Sequence, residues 1–139
     1  MLKITFEREI NADIEKSFEI ITNFENFQKL FSDYYPSILI KSIRDESSLV
    51  AEHLKLHDTE FIIMAKHFFS KPNNHEMRVV GGDIKGSNIN EIFTSNGDKT
   101  HLKVNAKLDV KSSRFSKKNP YADSLTELYD KMISEIEKP

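Results

Sequence analysis

Apolar and polar positions change their period twice along this chain. Leu2, Ile4, Phe6 and Ile10 alternate with Lys3, Thr5, Glu7 and Glu9, the period of a half-buried strand over Leu2 to Ile10. Arg8 interrupts the apolar row. From Ala12 to Phe31 the period becomes helical. Ile14, Phe18 and Ile21 form a face that Ser17, Ile20 and Phe24 widen, and Phe27, Leu30 and Phe31 form a shorter face after a break at residues 23–26. Asn11 stands where it can cap the first helix, with Asp13 and Glu15 favouring its first turn. Pro36 ends the helical stretch, because the residue before proline is pushed away from the α region.

A long run of strand pattern follows. Strands are predicted at Ile38–Arg44, Leu49–His57, Glu60–Ser70, His75–Val80 and Gly86–Ser95, with polar or glycine breaks between them. Asn96-Gly97 is a strong hairpin signal. Beyond it, Leu102, Val104, Ala106, Leu108 and Val110 alternate strictly with polar residues. In the last segment Asn119 is a cap and Pro120 takes the first helical position, where its missing N–H costs nothing. Tyr121, Leu125, Leu128, Tyr129, Met132, Ile133 and Ile136 then make a continuous stripe, predicting one helix over 120–137. The fold class implied is α+β: a curved antiparallel sheet of about seven strands around a long C-terminal helix, with two short helices after the first strand. Such a layout leaves a hollow between sheet and helix, with a pocket expected on the order of a few hundred Å³.

The turns orient the strands. A two-residue turn at Asp58-Thr59 pairs His57 with Glu60, Leu56 with Phe61 and Leu54 with Ile63. Val50, Glu52, Leu54 and Leu56 then share a face with Phe61, Ile63, Ala65 and His67, and the same alternation adds His75, Met77 and Val79. Turning at Asn96-Gly97 puts Ile89, Glu91 and Phe93 on the face of Leu102 and Val104, whereas a three-residue loop would instead turn in Asn88, Asn90 and Ile92. Leu54, Phe61, Ile63, Met77, Val79 and Val104 are the expected apolar lining, closed by Leu128 and Met132 of the last helix. Arg8, Glu52, His67 and Glu91 are polar residues on otherwise apolar faces, and a buried unpaired carboxylate is costly. They are the candidates for orienting the polar end of a ligand. Glu52 and His67, on adjacent strands, are also the candidates for acid–base catalysis.

Composition narrows the chemistry. At 139 residues, one domain spanning 1–139 is expected. A net charge of -2 gives no electrostatic case for nucleic acid, so none is expected as a partner. The absence of cysteine excludes disulfides, thiolate metal sites and a cysteine nucleophile. No apolar run is long enough to span a bilayer and no export leader is visible, so a cytoplasmic protein without integral membrane association is expected. His53 and His57 are about 13 Å apart on a strand, too far to share an ion, so no metal site is expected. No Gly-x-Ser-x-Gly nucleophile elbow occurs. Lys111, Arg114, Lys117 and Lys118 form a basic run before the last helix, either a solvated loop or a site for an anionic partner.

Three segments resemble the START-like superfamily, also called the birch-pollen-allergen or SRPBCC superfamily, and most nearly its polyketide cyclase/dehydrase and coenzyme Q-binding families. Ile10-Asn11-Ala12 followed by residues 17–23 resembles their strand-to-helix step. Phe31-Ser32-Asp33-Tyr34-Tyr35-Pro36 resembles the loop where the second helix meets the second strand. Residues 81–90 resemble a Gly-x-x-x-x-x-Gly-x-Trp-x-Phe turn, with Asn88 and Asn90 in the places of Trp and Phe. The resemblance implies the helix-grip fold and a superfamily of lipid carriers, quinone binders, cyclases, hormone receptors and a ribosome-associated toxin. Binding or carriage of a hydrophobic small molecule, such as a lipid, isoprenoid quinone or aromatic compound, is the expected function, with no cofactor. The alternatives are a cyclase/dehydrase-type enzyme acting on a polyketide-like or aromatic substrate, and a surface-mediated interaction protein.

Overall fold

The computed structural model describes residues 1–110 and 119–139. The basic run of Lys111, Arg114, Lys117 and Lys118 therefore lies outside the described residues. The elements are β1 (Leu2–Ile10), α1 (Ile14–Thr22), a single 3-10 turn (Phe24–Asn26), α2 (Phe27–Leu30), β2 (Ser37–Arg44), β3 (Ser47–Leu56), β4 (Thr59–Ser70), β5 (Asn74–Gly82), β6 (Asn88–Asn96), β7 (Lys99–Leu108) and α3 (Pro120–Ile136). All seven strands pair antiparallel in one sheet, in the order β1-β7-β6-β5-β4-β3-β2. Strict alternation of buried and open positions along β3, β4 and β7 leaves one apolar face, and α3 and α1 cover it. Leu125, Leu128, Met132 and Ile136 are each at most 3% exposed on that face.

Two hairpins turn one residue away from where their sequences signal. Between β3 and β4 the turn residues are His57 and Asp58, with His57 left-handed at φ 56° and Leu56 opposite Thr59. Leu54 thus faces Phe61, not Ile63, and Glu52 faces Ile63. Between β6 and β7 the turn residues are Gly97 and Asp98, with Asn96 opposite Lys99. Gly97 takes the positive φ that the first central position of a tight hairpin favours. Each pairing is displaced by two residues from the expected one. Because side chains alternate with period two, the same residues still face inward. Ile89, Glu91 and Phe93 are buried, and the alternative inward set of Asn88, Asn90 and Ile92 is not adopted.

The cap of α1 is Asp13, not Asn11: its side chain accepts from the Lys16 backbone N–H at 2.8 Å, and Asn11 remains in the linker before it. At the other end of the fold Asn119 caps α3, accepting from the Tyr121 and Ala122 N–H groups. The start of α3 is tied to the β3–β4 turn, where the His57 N–H donates to Ser124 Oγ at 2.9 Å and Thr59 meets Tyr121 at 3.0 Å. No helix among the described residues is long and apolar enough to cross a membrane.

Candidate functional site

Four strands and the last helix each contribute one ionisable group to a single buried chain of hydrogen bonds. Glu52 on β3 contacts Nε2 of His67 on β4 at 2.7 Å. Nδ1 of His67 lies 2.8 Å from Nε2 of His75 on β5. Nδ1 of His75 lies 2.5 Å from Glu91 on β6, and Tyr129 of α3 donates its hydroxyl to the other Glu91 oxygen. Glu52, His67, His75, Glu91 and Tyr129 are all less than 5% exposed.

The proton inventory of this chain is fixed by chemistry. Three contacts join the four groups from Glu52 to Glu91, and each needs one proton between its heavy atoms. Two neutral imidazoles supply two protons. A third must therefore be shared along the chain, leaving the linked groups with a single net negative charge. Burial holds the His67 imidazole below the ordinary histidine range, outweighing the neighbouring Glu52 carboxylate, which pulls the other way. Tyr35 and Tyr129 are pushed well above the usual phenol range, by burial first and by the carboxylates second, so both remain donors at neutral pH.

A closed space of about 30 Å³ adjoins the cluster, enough for roughly one water molecule. Of the residues expected to line a pocket, Leu54, His67, Met77, Glu91, Leu128 and Met132 do so. Glu52 stands behind His67 as its partner. Phe61, Ile63, Val79 and Val104 are buried but belong to the packed core away from this space. Arg8 is not brought to the cluster: it is one-third exposed at the rim, where its Nε meets Asp130 at 2.8 Å. The expected pocket of a few hundred Å³ is also corrected, because Phe24, Phe27, Tyr35 and the two imidazoles project into the hollow and fill it.

Sequence reasoning missed three members of the site. His75 falls on the inward parity of β5 and was legible there as an apolar-face position only. Tyr129 looks like one more residue of the α3 stripe, and its hydroxyl was the available signal, since a buried tyrosine requires a polar partner. Tyr35 marks the chain's exit from helix in the sequence and here lines the enclosed space. The remaining histidines sit outside: His53 pairs with Glu60, His57 with Asp58 and His101 with Glu7. No group of three or more histidine and acidic side chains among the described residues is arranged to hold a metal ion.

No family model and no curated protein sequence matches this chain. Solved structures do. A START superfamily protein from Mycobacterium smegmatis is 15% identical, with a TM-score of 0.82 over 97% of both chains. The major latex-like protein of Panax ginseng is 11% identical, with a TM-score of 0.78 over 99% of this chain and 98% of that one. An aromatase/cyclase from a Streptomyces species is 8% identical, with a TM-score of 0.70 over 97% of this chain and 86% of that one. At these identities the likeness is one of architecture, and it agrees with the strand order and helix placement described above. The chain has the helix-grip fold that these structures share.

Proposed function

We propose that the protein binds a small molecule with a largely apolar, aromatic body and one hydroxyl or carbonyl, held between the sheet and α3. The polar end rests on the cluster of His67, His75, Glu91 and Tyr129, and the body lies among Phe27, Leu54, Met77, Leu128 and Met132. The observation that carries this reading is the chain of buried ionisable groups at the centre of an apolar interior. Two carboxylates and two imidazoles cost desolvation that apolar side chains of similar size would avoid. Orienting a ligand gives them a use that core packing does not. The enclosed space takes about one water, so binding requires inner side chains to move aside. That fold neighbours include proteins named for aromatase/cyclase activity favours an aromatic ligand over a simple acyl chain.

Native mass spectrometry of freshly purified protein tests the reading. A copurified mass that organic extraction removes supports it. A bare protein that also takes up no aromatic alcohol counts against it. A cyclase- or dehydrase-type enzyme is the second reading, favoured by one observation: Glu91 lines the enclosed space and is hydrogen-bonded to both His75 and Tyr129, a path along which a proton can pass. In that case Glu91→Gln lowers turnover while binding is kept.

A further inference from the structure

Only a few aromatic rings separate the buried cluster from the outer surface. Phe24 belongs to both sides: it lines the enclosed space beside His67, and it also borders an open groove of about 500 Å³ between the 3-10 turn and the β2–β3 hairpin. Its ring lies against the His67 ring with centroids 4.2 Å apart, and 5.8 Å from that of His75. Phe69, on the same groove, stacks on His75 at 5.3 Å and within 11° of parallel. The two phenylalanines are 6.1 Å apart.

The backbone that carries Phe24 is lightly anchored. Phe24 opens the 3-10 turn, whose flanking Asn23 makes no side-chain cap bond, and the four-residue α2 that follows has no side-chain cap either. By contrast Asp13 caps α1. Consecutive single turns have little helical stability of their own and depend on packing, here that of Phe24, Phe27 and Phe31. Swinging Phe24 outward breaks ring contacts and few backbone hydrogen bonds, the profile of a local opening rather than a global one.

We propose that the groove is the outer half of the binding site and that Phe24 is its gate. In the closed form Phe24 stands in for the ligand: a planar aromatic ring entering from the groove displaces it and stacks on His67 in its place. Exposed Arg44, Lys71, Glu25 and Asp45 along the groove suit a ligand whose outer end is polar. The identity of the displacing group rests on the proposed function, whereas the gate itself does not.

The absence of native cysteine allows a test that needs no ligand. Met77→Cys places a thiol behind the gate, and Leu108→Cys places one in the core away from the enclosed space. Each is labelled with iodoacetamide with and without Phe24→Ala. Phe24→Ala is expected to speed labelling at Met77→Cys about tenfold or more while leaving Leu108→Cys unchanged. Phe24→Leu, a milder loss of packing, is expected to fall between. Equal acceleration at both thiols, which signals general loosening, overturns the proposal, as does no change at either. A separate arm follows 2-naphthol association, expected to be faster in Phe24→Ala. Failure of 2-naphthol to bind any variant, with the labelling difference intact, supports the gate and tells against the ligand reading alone.

Discussion

The Nδ1 of His67 and the Nε2 of His75 lie 2.8 Å apart, with the two rings within 14° of parallel. One of these nitrogens must be bare, because two N–H groups cannot face each other at that distance. The pair thus cannot hold two imidazolium ions without breaking. This agrees with the lowered basicity of His67, set first by burial and aided by the neighbouring His75.

That relationship predicts a pH dependence. A histidine whose folded pKa lies below its unfolded value binds more protons in the unfolded chain, between the lowered value and about pH 6.5. Stability should therefore fall as pH drops below about 6.5. Urea midpoints at about pH 7.5 and pH 5.5 check this, with the lower midpoint expected at the lower pH. The difference should shrink in His67→Gln. Equal midpoints in the parent would contradict the assignment of a buried neutral imidazole.

Glu91 joins His75 to Tyr129, so removing it strands two buried groups at once. Glu91→Leu should cost about 1–3 kcal/mol for each group left unpaired. Tyr129→Phe should then cost less in the Glu91→Leu background than in the parent, with a coupling of about 0.5–3 kcal/mol. Additive costs in denaturant unfolding would show that the two side chains do not act together.

Leu128 is 1% exposed at the centre of the α3 stripe and lines the enclosed space. Leu128→Ala should cost about 2–5 kcal/mol by opening a cavity there. An unchanged denaturation midpoint would mean that α3 does not pack on the sheet as described.

Two glycines with positive φ separate conformation from crowding. At Gly97 a Cβ would meet nothing within 4 Å, so Gly97→Ala should cost only the left-handed backbone, about 1–2 kcal/mol. At Gly82 a Cβ would fall 2.3 Å from the Ile62 carbonyl oxygen, where β5 closes on β4. Gly82→Ala should be clearly the more destabilising of the two in thermal unfolding, and the reverse order would contradict the β4–β5 geometry.

What was legible in the sequence was parity and punctuation. Alternation placed Glu52, His67 and Glu91 on one face, and it survived a two-residue displacement in both hairpins because a shift of two leaves the face unchanged. Distance along the strands was less legible. The displaced register sets His67 opposite Ser48, one step farther from Glu52 than the turn signal implied, and two long side chains lean across the concave face to meet. Arg8 shows the converse: its parity is inward, but β1 is an edge strand, and the long side chain reaches Asp130 at the rim instead. The size of the hollow was not legible at all. It depends on where Phe24, Phe27 and Tyr35 direct their rings, which periodicity does not specify.

A ligand whose polar end meets the buried histidines must perturb their ring nitrogens. Nitrogen-15 spectra of the imidazoles, recorded during titration with planar aromatic alcohols of one to three rings, test it most directly. Saturable shifts of the His67 and His75 ring nitrogens are expected, with the outer His53, His57 and His101 unmoved. Shifts confined to those outer histidines, or none with any of the alcohols, would contradict it.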